Sequence, residues 1–143
     1  MKAAVSIVAL CLFSAFSLQK TVLDIRISDI RSSKGVVRLS VYTAPEQYPY
    51  KPWRTYTIKK DSLDKTFLHA AIDDLKPGTY GLCMLDDENN SGVMENNLLG
   101  IPKEGFAFAN NFKPFLKRPD YSQVLIQLLP GFNHIDLITR YKN

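Results

Sequence analysis

The chain has 143 residues, of which 45% are hydrophobic and 22% are charged, and its formal net charge is +4. A chain of this length buries enough surface to fold as one domain around an ordinary apolar core. The basic residues are scattered, apart from a small cluster at Lys113, Lys117 and Arg118, which excludes a dedicated nucleic-acid-binding protein.

The first 17 residues have the pattern of a signal peptide. Lys2 gives a positive start, Ala3 to Phe13 is almost wholly apolar, and small residues lead up to Ser17. The apolar run is shorter than the roughly 20 residues that span a bilayer. We therefore expect cleavage near Ser17, one domain over residues 18–143 with no transmembrane segment, and a secreted or periplasmic protein.

The two cysteines bear on the compartment and on stability. Cleavage near Ser17 removes Cys11 and leaves Cys83 alone, so no internal disulfide forms even where the compartment permits one. Cys83 lies in an apolar strand pattern and is expected to be a small core residue. The alternative is that Cys83 is a catalytic nucleophile. Two alternatives to cleavage near Ser17 stay open. One is a lipoprotein anchored at Cys11, and the other is an uncleaved membrane anchor.

The first two elements after the leader alternate apolar and polar residues. Both TVLDIRIS (21–28) and VVRLSVYT (36–43) place an apolar side chain at every second position, which predicts strands with one buried face. Tyr42 is expected on the solvent face of the second strand. The turn RSSKG between them contains Gly35, and the pattern predicts an antiparallel hairpin.

The rest of the chain continues as short strand patterns separated by turns. APEQYPYKPW (44–53) contains three prolines and is expected to be a loop or a sheet edge. Five further strand patterns follow, RTYTIKK, KTFLHAAI, GTYGLCML, YSQVLIQLL and FNHIDLITRY, with a long irregular segment over 86–120. This arrangement predicts an all-β fold, a single antiparallel β-sandwich of about seven strands.

The acidic stretch DDENNSG, residues 86–92, is the first candidate site. Counted from Asp87, oxygen-bearing groups fall at the positions that wrap calcium in loops of this type. The predicted metal ligands are Asp87, Asn89, Ser91, the Val93 carbonyl and Glu95. The bidentate glutamate of the template is replaced by Leu98, so we expect weak affinity, with a Kd on the order of 10⁻⁴ to 10⁻³ M. The same residue types also turn a backbone without any ion, and this alternative stays open.

A second candidate site is the aromatic loop between Tyr48 and Tyr56. Flat rings on a proline-stiffened loop stack on sugars or anchor a protein partner at low entropic cost. The ligand or partner residues predicted here are Tyr48, Tyr50, Trp53 and Tyr56, with Glu104 and Phe106 from the later segment. The alternative is that these rings only cover an open end of the sandwich.

The carboxylates of the long 86–111 segment suggest a third interpretation. Asp86, Asp87, Glu88 and Glu104 would act as acid and base in a hydrolase if two of them faced each other across a cleft. The discriminating feature is a deep pocket that holds two carboxylates, one of them with a raised pKa.

The segment LKPGTYGLCMLDDENNSGVMENNLLGIPKEGFAFANN resembles the signature region of a bacterial exported family, domain-of-unknown-function family 2141. The matching motifs are Pro-Gly-Thr-Tyr at 77–80, Asp-Glu-Asn-x-x-Gly at 87–92 and Gly-Ile-Pro-x-Glu-Gly at 100–105. The resemblance implies an exported β-sandwich of the immunoglobulin-like or prealbumin-like sort. It does not indicate which activity, if any, the protein has. Two positions depart from the family pattern, Asp86 where histidine is common and Glu95 where aspartate is usual.

These observations together predict a non-catalytic binding or structural module of the bacterial cell envelope. Calcium is the one cofactor expected, and the expected partner is an envelope protein or glycan. The two alternatives are a hydrolase that uses the carboxylates of 86–111, and a protein- or carbohydrate-binding module that uses the aromatic loop.

Overall fold

The computed structural model describes residues 19–114 and 117–142, so the predicted signal peptide lies outside the described residues. The strands in this part are β1 (Val22–Ser28), β2 (Val36–Tyr42), β3 (Arg54–Lys59), β4 (Leu68–Ile72), β5 (Gly78–Asp87), β6 (Gly105–Phe108), β7 (Leu125–Leu128) and β8 (Phe132–Ile138). Two short 3₁₀ helices, Ala109–Asn111 and Tyr121–Val124, interrupt them. No helix among these residues is long and apolar enough to cross a membrane.

The strands form two sheets, which confirms the all-β prediction. One sheet has the order β4-β1-β8, and the other has the order β3-β2-β5-β6. The long strand β5 pairs with β7 through its first residues, 78–81, and with β6 through residues 83–86. Strand β6 is an eighth strand, inside the segment that the sequence predicts as irregular.

The predicted hairpin of β1 with β2 is wrong, and one pair of strands is parallel rather than antiparallel. Strand β1 lies between β4, which is antiparallel to it, and β8, which is parallel to it. Strand β2 belongs to the other sheet, between β3 and β5. The connection over 29–35 therefore crosses from one sheet to the other. Ile30 is buried in this connection, and its N–H donates to the Thr66 carbonyl at 3.1 Å.

The apolar positions of the first two strands are buried as the alternation predicts. Leu23, Ile25 and Ile27 of β1 are completely buried, in one cluster with side chains of both sheets. The partners from the second sheet and the later strands include Val37, Leu39, Val41, Leu82, Met84, Ile126, Leu128 and Leu137. The two sheets therefore share one core, and its burial is the main stabilising term of the fold.

Tyr42 is buried, although the alternation of β2 places it on the solvent face. Its ring lies 5.3 Å from the ring of Tyr48, and its hydroxyl donates to the Pro49 carbonyl at 2.9 Å. Tyr121, in the second 3₁₀ helix, donates its hydroxyl to the Tyr42 carbonyl at 3.4 Å. Distant loop residues thus cover this end of β2, which no pattern within the strand itself indicates.

The pairing register defines two opposite ends of the larger sheet. Val36 of β2 pairs with Asp87 of β5 at one end, and Tyr42 pairs with Gly81 towards the other. We call the first the acidic end, because β5 finishes there in Asp86 and Asp87. We call the second the aromatic end, because the loop with Tyr50 and Trp53 leaves β2 there. The two candidate sites predicted from the sequence therefore lie at opposite ends of the fold.

Candidate functional site

The two adjacent aspartates of β5 point to opposite faces of the sheet, because successive side chains in a strand alternate. Asp86 shares a face with the buried core residues Leu82 and Met84. Asp87 points to the face that carries Arg38 of β2. The two carboxylates thus enter different environments, and Asp86 does not supply the calcium ligand that the loop lacks.

Asp86 is completely buried and forms an ion pair with Lys60, whose side chain is 1% exposed. The Lys60 ammonium lies next to Asp86 Oδ1. This oxygen has no hydrogen bond of standard geometry, and its negative charge is balanced by the ion pair with Lys60. The Tyr141 hydroxyl donates to Asp86 Oδ2, and burial, followed by this bond, raises the pKa of Tyr141. Lys60 also donates to the carbonyls of Ser32 at 3.1 Å and Lys34 at 2.7 Å.

Asp87 is also completely buried, and both of its oxygens accept hydrogen bonds from the protein. Arg38 Nε donates to Oδ2 at 2.5 Å and Gly92 N donates to the same oxygen at 2.9 Å. Ser91 N donates to Oδ1 at 2.9 Å. Burial acts to raise the pKa of Asp87, but Arg38 and the two backbone N–H groups outweigh it and lower that pKa.

The other predicted calcium ligands are used in the turn that follows Asp87. The Asn89 side-chain oxygen accepts from Ser91 N at 3.0 Å, and the Val93 carbonyl accepts from the Ser91 hydroxyl at 2.9 Å. Glu95 lies 3.9 Å from the Lys103 ammonium. Within residues 19–114 and 117–142, no three acidic, histidine or cysteine side chains converge as a metal site would require. The alternative of a turn without any ion accounts for these contacts, and the predicted calcium site is untested by them.

We expect calcium to leave the melting temperature of the protein unchanged, because an ion in this loop would have to displace Arg38 and two N–H groups from Asp87. A site with a Kd on the order of 10⁻³ M would add about 1 kcal/mol at about 5 mM calcium, which is a rise in Tm of roughly 3 °C. Calorimetric titration and thermal unfolding measure both quantities. A saturable heat that the variant Glu95→Gln abolishes would contradict this expectation and establish the site.

Glu88 and Glu104, the remaining carboxylates of the hydrolase interpretation, are bound to the protein as well. Arg31 donates to both oxygens of Glu88, at 2.6 Å for the shortest bond, and lowers the pKa of Glu88 against the effect of burial. Glu104 is 5% exposed, and its Oε1 accepts from Glu88 N at 3.1 Å. Burial, and then the charge of Asp87, raise the pKa of Glu104. Its Oε2 has no hydrogen-bond partner among the described residues.

Asp87 and Glu88 hold the start of the β5–β6 connection, residues 88–104, against Arg38 and Arg31 of the body of the protein. Two surface depressions in the described part have volumes of about 640 and 420 Å³, and neither is lined by any of the four carboxylates. The hydrolase interpretation thus has one carboxylate with a raised pKa, and that carboxylate lines neither of these two depressions. The cations that neutralise the cluster, Arg31, Arg38 and Lys60, were missed from the sequence because they lie far from it along the chain.

The structure separates the four aromatic residues of the predicted binding loop. Tyr48 packs inward, with its hydroxyl donating to the Pro119 carbonyl at 2.9 Å, and burial raises its pKa. Tyr56 lies partly buried in β3, where its hydroxyl donates to Asp74 at 2.7 Å. Tyr50 and Trp53 are exposed to solvent, at 82% and 46% of their surface. Only these two remain accessible to a ligand.

Three further residues complete this exposed surface, and the sequence did not single them out as ligands. The Tyr80 ring lies 6.4 Å from the Trp53 ring. The Arg54 guanidinium lies 4.6 Å above the Trp53 ring, and that of Arg118 lies 5.4 Å from the Tyr50 ring. We call Tyr50, Trp53, Tyr80, Arg54 and Arg118 the aromatic surface. In the sequence, the five residues are marked only by aromatic and basic residues that lie near one another. This pattern is too common in proteins to predict a binding surface.

Phe106 and Cys83, two other residues considered from the sequence, serve the packing. Phe106 is buried in β6 beside Phe108, with ring centroids 5.6 Å apart, and its backbone pairs with Arg140. Cys83 is mostly covered, and burial raises the pKa of its thiol to about 12. A thiol with this pKa is almost entirely protonated at neutral pH and is a poor nucleophile.

The fold and the site define a small β domain with two sheets, one shared core and no recognisable catalytic motif in its described part. Residues 25–135 match the model of a family described as "Uncharacterized protein conserved in bacteria (DUF2141)", and the chain belongs to this family. The resemblance of the signature segment is thereby confirmed. Comparisons with curated proteins and with solved structures found no match.

Proposed function

We propose that this protein is an exported, non-catalytic binding module of the bacterial cell envelope, and that its aromatic surface binds an anionic glycan. Export is supported by the apolar leader pattern of residues 1–17. A non-catalytic role is supported by the acidic end, where Asp86, Asp87 and Glu88 are each paired with a cation of the protein.

The observation that carries the proposal is that two aromatic rings stay exposed to solvent while their neighbouring side chains pack against them. Tyr50 and Trp53 remain 82% and 46% exposed although the chain has a core able to bury aromatic rings. Trp53 lies beside Tyr80 and Arg54, so it loses little side-chain freedom when a ligand binds. A preorganised, accessible tryptophan is a typical centre of binding energy.

The chemistry of the surface favours a glycan with acidic groups. The apolar faces of pyranose rings pack on flat aromatic side chains. These side chains supply contact area that does not depend on specific hydrogen bonds. A guanidinium beside the rings donates two parallel hydrogen bonds to a carboxylate or phosphate. Arg118 has no ion pair among the described residues, so its N–H groups are available for such a ligand.

Titration with soluble polysaccharides tests the proposal directly, because Trp53 is the single tryptophan of the chain. We expect polygalacturonate, an anionic polymer, to change the Trp53 fluorescence saturably, and neutral dextran to change it less. Calorimetry should show binding weakened about 30-fold in Trp53→Ala, the loss typical of a central aromatic contact. Arg118→Met should weaken polygalacturonate binding and leave the response to dextran unchanged.

Phe132→Ala is the matched control, since Phe132 is also an exposed aromatic residue but lies in β8 of the other sheet. We expect it to bind as the parent protein does. An equal loss in Trp53→Ala and Phe132→Ala, or no fluorescence change with either polysaccharide, would contradict the proposal.

A further inference from the structure

The tip of the β5–β6 connection carries two leucines that touch almost nothing. Leu98 is fully exposed and Leu99 is 82% exposed, although leucine is normally a core residue. We call residues 96–101, with the sequence Asn-Asn-Leu-Leu-Gly-Ile, the apolar finger. It lies beyond the acidic end and takes no part in the aromatic surface at the other end.

The apolar finger is held as a tight hydrogen-bonded turn. Asn97 N donates to the Ile101 carbonyl and Gly100 N donates to the Asn97 carbonyl, both at 2.9 Å. The Asn97 side-chain oxygen accepts from Leu99 N at 2.9 Å and from Ile101 N at 3.0 Å. Gly100 takes the positive φ of 74° that closes the turn. The two leucines are therefore presented in a fixed position.

The base of the apolar finger is closed by contacts between its two arms. Asn96 and Pro102 form an isolated β-bridge, and Lys103 N donates to the Glu95 carbonyl at 2.9 Å. Below it, Asp87 and Glu88 bind Arg38 and Arg31. The signature carboxylates thus brace the connection whose tip exposes the leucines.

Two properties of the apolar finger match the surface layer of a lipid bilayer. Residues 96–101 contain no charged side chain, so insertion buries no ion. Four of their backbone N–H groups, those of residues 97, 99, 100 and 101, already have partners within the turn. An N–H group that already has a partner costs less to bring into a lipid environment than one that would lose its water there.

We propose that the apolar finger inserts Leu98 and Leu99 into the interfacial layer of a membrane. Burial of two leucines raises partitioning into the interfacial layer about 10²- to 10⁴-fold, which gives weak and reversible attachment comparable to that of a single acyl chain. In this orientation the aromatic surface faces away from the bilayer. The inference does not depend on glycan binding, and its test is separate.

The test is local quenching of tryptophan by lipids brominated on their acyl chains. The full chain with Leu98→Trp in a Trp53→Phe background is mixed with vesicles of phosphatidylethanolamine and phosphatidylglycerol. We expect a blue shift of the emission and strong quenching of the tryptophan placed at position 98. A local probe is needed because the apolar run 3–13 of the full chain would by itself hold the protein on vesicles.

Two matched variants separate insertion by the finger from other attachment. Leu99→Ser in the Leu98→Trp, Trp53→Phe chain should reduce the quenching about 10-fold at limiting lipid, because it removes one of two inserted side chains. Leu129→Ser, at an exposed leucine outside the finger, should change nothing. An unquenched probe at position 98, with or without quenching of Trp53 in the parent chain, would overturn the proposal. That result would instead favour a protein partner for the apolar finger.

Discussion

Replacement of Lys60 by methionine is expected to lower the free energy of unfolding by about 3–5 kcal/mol, because it leaves a buried aspartate without its cation. Lys60 and Asp86 have side chains that are 1% and 0% exposed, and no solvent reaches the pair. The substitution also removes the donor to the carbonyls of Ser32 and Lys34. Urea denaturation followed by Trp53 fluorescence measures the loss.

Two further variants make this prediction specific to the buried pair. Lys59→Met changes the neighbouring lysine of β3, which is exposed, and should alter stability by less than about 0.5 kcal/mol. Removal of the whole polar group, by Lys60→Met with Asp86→Leu and Tyr141→Phe, should restore most of the lost stability, because no charge or hydroxyl is then left buried alone. A triple variant less stable than Lys60→Met would contradict this account.

Alanine at position 35 is expected to cost more than about 4 kcal/mol, or to prevent folding, because a Cβ has no room there. A Cβ built on Gly35 would lie 1.9 Å from the Asp87 carbonyl oxygen and 2.7 Å from the Glu88 Cα. These are backbone atoms of the last residue of β5 and of the residue after it, which cannot move as a flexible side chain does. The positive φ of 66° at Gly35 adds strain of its own.

Gly100→Ala is the control that separates the clash from the backbone conformation. Gly100 has a similar φ of 74°, but a Cβ there would meet nothing within 4 Å. We expect this variant to lose only the cost of a positive φ, about 1 kcal/mol. Denaturant unfolding of the two variants side by side gives the comparison. Equal losses would show that conformation alone, and not the approach of β5, requires glycine at position 35.

Both predictions concern the acidic end, and they assign its residues a common role. Gly35 lets the end of β5 approach the β1–β2 connection, and Lys60 neutralises the charge that this approach buries. Arg38 and Arg31 then fix Asp87 and Glu88 at the start of the long connection. The acidic signature thus organises a rigid projection, whereas binding is proposed for the apolar finger and the aromatic surface.

A pair of asparagines shows how the later part of the signature contributes to the same framework. Asn110 and Asn111 both have positive φ angles, of 59° and 51°. The Asn110 side chain donates to the Leu125 carbonyl at 2.9 Å, and the Asn111 side-chain oxygen accepts from Ile138 N at 2.9 Å. The two side chains thereby join β7 and the outer edge of β8, and they cover backbone groups that an edge strand would otherwise expose.

The sequence by itself predicted seven of the eight strands in the described residues, and it identified the candidate groups. Alternation along β1 and β2 identified the buried residues, because the side-chain period of a strand is a local property. The composition of the 86–92 stretch and of the aromatic loop directed attention to both ends of the fold. The family followed from motifs that are contiguous in the chain.

Only the tertiary structure decided which strands pair and what each candidate group contacts. Strand β6 has four residues and is defined by its pairing with β5, and β1 pairs with β4 and β8 rather than with its neighbour in sequence. The same holds for the cations that bind Asp86 and Asp87, and for the rings that bury Tyr42 and leave Trp53 exposed. Hydrogen bonds between strands and ion pairs in the interior join residues far apart in the chain, so their partners are set by the packing of the whole molecule.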